Sequence, residues 1–116
     1  MILHFVNARL VDPENGRVTE GSLRVQNGRI EAIHGPDAPP LTGAAVVDCE
    51  GLTLAPGIVD VGVKICEPGE RHKESYRSAG AAAAAGGVTT MVTRPDTAPA
   101  IDSPEVLEFV TRRARE

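Results

Sequence analysis

Hydrophobic side chains recur along residues 1–56 in short runs of period two, interrupted by Gly, Pro, Asn and Asp. Residues 2–6 and 8–11 are apolar-rich, and Asp12-Pro13-Glu14-Asn15-Gly16 follows as a turn cluster. Residues 22–26 alternate polar with apolar, Asn27-Gly28 intervenes, and residues 29–33 alternate again. Two alternating runs around Asn-Gly predict a β-hairpin, because a type I′ turn needs positive φ at both central residues. Gly35, Pro36, Pro39, Pro40 and Gly43 make residues 35–43 a loop. Residues 45–49 and 52–55 read as further short strands around Glu50-Gly51. The expectation for this half is a small antiparallel β layer.

The pattern changes after Pro56-Gly57. Residues 58–65 read as a strand with Val and Ile on both faces, and 73–85 as a helix ended by Gly86-Gly87. Residues 88–93 are β-branched and read as a second buried strand. Ser103-Pro104 opens a second helix, with Ser as N-cap and Pro at the first helical position. Val106, Phe109, Val110 and Arg113 fall on one face of it, and Glu108 and Arg112 stand at a favourable i, i+4 spacing. Strand, helix, strand, helix predicts parallel βα units. Two such units cannot close a barrel, so the chain is expected to be the front piece of a longer one rather than a complete α+β domain. The two-strand piece should then expose apolar side chains and two unpaired edges, with the β layer as the better-packed half.

Composition narrows the function classes. The 116 residues carry 12 basic and 16 acidic side chains, a net charge of −4, with 41% apolar and 24% charged residues. That is a globular composition. One Tyr, two Phe and no Trp exclude an aromatic platform for single-stranded nucleic acid, and the acidic balance opposes a phosphate-tracking surface. No apolar run reaches the roughly 18 residues of a membrane span, and the opening residues lack the features of a signal peptide. Cys49 and Cys66 form neither a disulfide framework nor a zinc-knuckle spacing, and fit a reducing cytoplasm. The expected protein is cytoplasmic, with no nucleic-acid or membrane partner.

Individual residues add little chemistry of their own. No His or second Cys stands at ligand spacing from Cys66, so an inert cysteine at a strand end is the expectation. His4 and His34 are expected at the surface of the β layer, and His72 at a helix start or in a loop. Glu67 and Glu70 read as solvated loop carboxylates. Thr89 and Thr90 read as strand formers, because no base stands ready to activate them.

Several segments nevertheless form an ordered series. Residues 7–12, 27–30 and 48–60 (Asp-Cys-Glu-Gly-Leu-Thr-Leu-Ala-Pro-Gly-Ile-Val-Asp) resemble the opening of the amidohydrolase superfamily. Glu67-Pro68-Gly69, His72-Lys73-Glu74, residues 83–90 and residues 95–99 narrow the resemblance to dihydroorotases of the multifunctional-complex type. The resemblance implies a zinc-dependent (β/α)8 barrel beside a small β-sandwich. Residues 1–56 would be the N-terminal part of the sandwich, and residues 57–116 the first two βα units of an incomplete barrel.

The implied chemistry is reversible hydrolysis of the cyclic amide of dihydroorotate, in which zinc lowers the pKa of its bound water. The family places His-x-His at the end of the first barrel strand. Residues i and i+2 share a strand face, roughly 7 Å apart, so two imidazoles can converge on one metal. An Arg two positions on clamps the substrate carboxylate, and an Asn after the second strand also binds substrate. All four positions differ here. Gly62 and Lys64 stand at the two His positions, Cys66 at the Arg position and Asp96 at the Asn position. Gly62 has no ligand atom, a protonated Lys64 repels zinc, Cys66 cannot pair a carboxylate and Asp96 repels one.

No catalytic, metal or substrate-binding residue, and no cofactor, is therefore expected in this chain. The combination resembles non-catalytic dihydroorotase-like subunits that act as structural partners of aspartate carbamoyltransferase in pyrimidine biosynthesis. A homo-oligomer is a further form of association. Two other readings stand beside it: an active cyclic amidohydrolase whose ligands come from a C-terminal part, and a truncated fragment without function of its own.

Overall fold

A computed structural model describes all residues, 1–116, and the chain divides into two compact units, Met1–Pro56 and Gly57–Glu116. In the first, strands β1 (Ile2–Asp12), β2 (Arg17–Gln26), β3 (Arg29–His34) and β4 (Ala45–Asp48) lie in the order β3-β2-β1-β4, and β5 (Thr53–Leu54) also pairs with β1. The two apolar runs at the start are one strand. Asn7 joins them at a φ of 53°, in a bulge between Phe5 and Ala8. Asn tolerates this left-handed conformation better than most residues, and its side chain donates to Asp48 Oδ1 at 2.9 Å. Asn27 and Gly28 both have positive φ, 51° and 76°, as the hairpin reading requires.

The layer is mixed rather than antiparallel. β1 and β2, and β2 and β3, pair antiparallel, but β4 and β5 both run parallel to β1. The reason is the connection through residues 35–44, which carries the chain from one edge of the sheet past β2 and β1 to β4. A crossover of that kind delivers a parallel strand, whereas a tight turn delivers an antiparallel one. His4 is also buried, only 2% exposed, contrary to its expected surface position.

The second unit is β6 (Ile58–Val63), α1 (Tyr76–Ala85), β7 (Val88–Thr93) and α2 (Pro104–Arg115), with β6 and β7 parallel in a two-stranded sheet. Helix α1 starts later than residue 73 because Ser75 and Ser78 form a reciprocal capping box. Ser103 caps α2 as its sequence predicts, accepting from the Val106 amide at 3.4 Å. Arg112, Arg113 and Arg115 occupy its last turn, where positive charge complements the helix dipole. Glu108 and Arg112 do not form the expected pair. The Arg112 guanidinium instead lies 6.0 Å from the centre of the Phe109 ring.

Ile65, Tyr76, Ala79 and Val110 form the core of this unit, with Val63, Met91, Ile101, Val106 and Phe109 packed on it. This reverses the expectation that the β layer is the better-packed half. Only Ala8 and Leu10 are buried apolar residues in Met1–Pro56, while Ile30, Ile33, Val46 and Val47 stay exposed. A sheet buries a face only when another layer covers it, and Met1–Pro56 contains one sheet and no helix of its own. The expected exposure around β6 is present. Ile58, Val59, Val61 and Val92 are each half or more exposed, and both outer edges of the strand pair are free.

Candidate functional site

The end of β6 is the place to look for chemistry, because a parallel strand followed by a loop and helix presents its C-terminal end to ligands. The strand is not regular there. Gly62 has a φ of 91°, and the pairing with β7 shifts between Val61 and Val63. Gly62 therefore sits in a bulge that a glycine enters without strain. β6 ends at Val63, two residues before the sequence reading, and Lys64, Ile65 and Cys66 follow outside the ladder. Lys64 is exposed and forms no ion pair, Ile65 is buried at 1% exposure, and Cys66 is half-buried with a free thiol. Buried Ile65 anchors this segment to the core.

Beyond Cys66 the chain turns through Glu67-Pro68-Gly69. Gly69 has a φ of 106°, and a side chain there would collide with the Ala98 carbonyl. Its absence lets this loop approach the segment after β7, where the Ala98 amide donates to the Pro68 carbonyl at 3.4 Å.

Glu67 is not the solvated carboxylate its loop position suggests. It is 2% exposed. Its Oε2 accepts the Tyr76 amide at 3.1 Å, and its Oε1 accepts Arg113 Nε at 2.7 Å, with Arg71 Nε 3.6 Å away. Burial opposes its charge, but the Arg113 hydrogen bond, the Tyr76 amide and the charges of Arg113 and Arg71 outweigh burial and hold the carboxyl below its ordinary range. One carboxylate thus ties the β6–α1 loop to the first turn of α1 and the last turn of α2. Sequence reasoning missed this role because Arg113 lies 46 residues away. The Glu67-Pro68-Gly69 motif was the one signal available.

Asp96 is engaged by its neighbour Arg94, which donates Nε at 3.1 Å and Nη2 at 2.6 Å in a two-pronged pair. Glu70 pairs with Lys73 at the surface, which lowers the glutamate pKa and raises that of the lysine. His72 is exposed in the turn before α1. No three His, Cys, Asp or Glu side chains lie close enough to share a metal ion. No helix is long and apolar enough to cross a membrane.

Comparison with known proteins places this arrangement in a family. A family model described as "Dihydro-orotase-like" matches residues 51–116. The chain is 41% identical over 116 residues to a dihydroorotase of Wolbachia sp. subsp. Brugia malayi (strain TRS), covering 97% of this chain and 26% of that protein. It is 38% identical over 116 residues to a dihydroorotase-like protein of Pseudomonas putida, covering 100% of this chain and 27% of that one. Among solved structures, an L-hydantoinase from Arthrobacter aurescens superposes with a TM-score of 0.82 at 25% identity, covering 97% of this chain and 24% of that one. The chain spans about a quarter of the length of these relatives. With a matching family model over more than half its residues, the chain belongs to the dihydroorotase-like family of the amidohydrolase superfamily.

Proposed function

We propose that this chain is the N-terminal part of a catalytically inactive dihydroorotase-family protein that serves as a structural partner of aspartate carbamoyltransferase in pyrimidine biosynthesis. In this reading Met1–Pro56 is the N-terminal part of the small β-sandwich, and Gly57–Glu116 supplies the first two βα units of a (β/α)8 barrel.

The observation that carries it is the pair Gly62 and Lys64 at the end of β6. Zinc needs lone-pair donors of N, O or S, and hydrolysis in this family uses zinc to supply hydroxide near neutral pH. Gly62 offers only backbone, in a bulge, and Lys64 brings an ammonium ion. The donor set therefore does not fit zinc. Cys66 and Asp96 replace the residues that would hold a substrate carboxylate, and Asp96 is already paired with Arg94. Meanwhile the Glu67–Arg113 tie and the Gly69 approach to Ala98, which hold the scaffold, are intact.

Co-purification tests the reading. A tagged full-length protein should retain aspartate carbamoyltransferase through gel filtration and should not hydrolyse dihydroorotate. A protein that elutes without it and turns over dihydroorotate would overturn the proposal.

A further inference from the structure

Two Asn-Gly steps occur in the chain, Asn15-Gly16 and Asn27-Gly28, each in an exposed turn. Such a step carries a reaction of its own. The backbone nitrogen of the glycine, its proton passed to water, attacks Cγ of the asparagine. The Cγ–Nδ2 bond breaks, ammonia leaves, and a five-membered succinimide closes. Glycine favours this because no Cβ hinders the approach of its backbone. Water then opens the ring. Attack at Cγ gives aspartate, and attack at the main-chain carbonyl carbon gives isoaspartate, in which the chain runs through Cγ. Either way one water enters and one ammonia leaves.

The dipeptide alone ranks the two steps alike, and the structure separates them. Asn15 is held at both atoms of its amide: Nδ2 donates to Asp12 Oδ2 at 2.7 Å, and Oδ1 accepts the Arg17 amide at 2.9 Å. Asp12 is itself fixed, because its Oδ1 accepts the Glu14 amide at 3.0 Å. Asn27 makes a single side-chain hydrogen bond, its Oδ1 accepting from the Met1 amino group at 3.4 Å, which leaves Nδ2, the leaving group, to solvent. Its main-chain amide reaches the Met1 carbonyl only at 3.4 Å, and β3 beyond the turn is an edge strand paired with β2 alone. Ring closure swings Cγ onto the glycine nitrogen, so it runs through local opening of the turn, and the less tightly held turn opens more often.

The two products differ in what they do to the hairpin. The φ angles of 51° and 76° at Asn27 and Gly28 set Gln26 opposite Arg29 and Val25 opposite Ile30. Aspartate enters the left-handed region much as asparagine does, so it keeps the turn. Isoaspartate adds a CH2 to the main chain of a two-residue turn, and the register that depends on that turn is lost. No strand on the other side of β3 compensates.

We propose that Asn27 is a self-modification site of the folded protein, converting to aspartate and isoaspartate while Asn15 is protected, and that the isoaspartate form frees β3 from the sheet. The inference is independent of the proposed function.

Ageing the full-length protein in mildly alkaline buffer, where the glycine nitrogen loses its proton more readily, tests it, with a second sample aged in guanidinium chloride. Peptide mapping by mass spectrometry counts aspartate and isoaspartate at each site. In denaturant the two asparagines should convert at similar rates. In the folded protein Asn27 should convert about tenfold faster than Asn15 or more, the effect of the additional hydrogen bonds that Asn15 must give up. Asp12→Ala, which removes the acceptor of Asn15 Nδ2, should speed conversion of Asn15 and leave that of Asn27 unchanged. Amide exchange on the isoaspartate fraction should show β3 unprotected beside an intact β1–β2 ladder. Equal rates in the folded protein, an Asn15 still slow in Asp12→Ala, or a protected β3 in the isoaspartate fraction would each overturn the proposal. Should Asp12→Ala not fold, the wild-type rates decide: folding must slow Asn15 far more than it slows Asn27.

Discussion

Glu67 Oε1 accepts a hydrogen bond from Arg113 Nε at 2.7 Å across 46 residues of sequence. The other oxygen of the same carboxylate receives the Tyr76 amide, so a loop, the start of one helix and the end of another meet at one buried charge. Replacing the carboxylate by an amide removes the charge and leaves one oxygen for two donors, so either the guanidinium or the Tyr76 amide loses its acceptor, which is costlier than never having built the pair.

Glu67→Gln should therefore lower stability by about 2 kcal/mol, the range for hydrogen bonds to a charged group. Urea denaturation measures it. Glu70→Gln, which breaks an exposed pair with Lys73, should leave the midpoint unchanged within error.

Acid should act through the same residue. The folded-state pKa of Glu67 lies below its ordinary value of 4.5, so the unfolded chain binds more protons between the two values. The contribution is complete above 4.5 and is lost as pH falls through the lowered folded value. The urea midpoint of the wild type should fall more steeply on acidification than that of Glu67→Gln, and the two curves should converge at low pH. Parallel curves would mean that Glu67 does not titrate with folding.

Gly62→Ala tests the bulge at the end of β6. Nothing lies within 4 Å of where the new methyl would stand, so the penalty comes from the φ of 91° alone. Against the stiffening of the unfolded chain, about 1 kcal/mol of net destabilisation is expected. Gly21→Ala is a contrasting case. Its methyl would meet the His34 carbonyl between β2 and β3, and overpacking against backbone should cost about 1–3 kcal/mol.

Replacing Gly62 and Lys64 together by His, in the full-length protein, should bring some zinc affinity and little turnover. The first histidine enters a strained position, and Cys66 and the Arg94-bound Asp96 still fail the substrate carboxylate. Steady-state assay with dihydroorotate decides. Turnover in the ordinary enzyme range of about 1–1000 per second would contradict the roles given to Cys66 and Asp96.

What could be read from the sequence was local. Asn27-Gly28 specifies its turn through two φ angles, and Ser103-Pro104 specifies a helix start through one capping bond. The apolar face of α2 followed from spacing alone, and Val106, Phe109 and Val110 do pack at the core. Distant pairings were hidden. The parallel course of β4 depends on where residues 35–44 carry the chain, and the hydrogen-bond partners of buried His4 and Glu67, Leu41 and Arg113, lie far along the sequence. At the site, the identities of Gly62, Lys64, Cys66 and Asp96 were legible. The bulge that takes Gly62 and Lys64 out of a regular two-residue alternation was not, because a glycine in a strand pattern marks a bulge without specifying it.

The zinc content of the purified full-length protein, prepared with zinc in excess and then dialysed, tests the central claim most directly. With Gly62 and Lys64 at the end of β6, far less than one zinc per chain should remain, and addition of a chelator should change nothing. A zinc held at about one per chain, with dihydroorotate hydrolysis that disappears on chelation, would contradict the account.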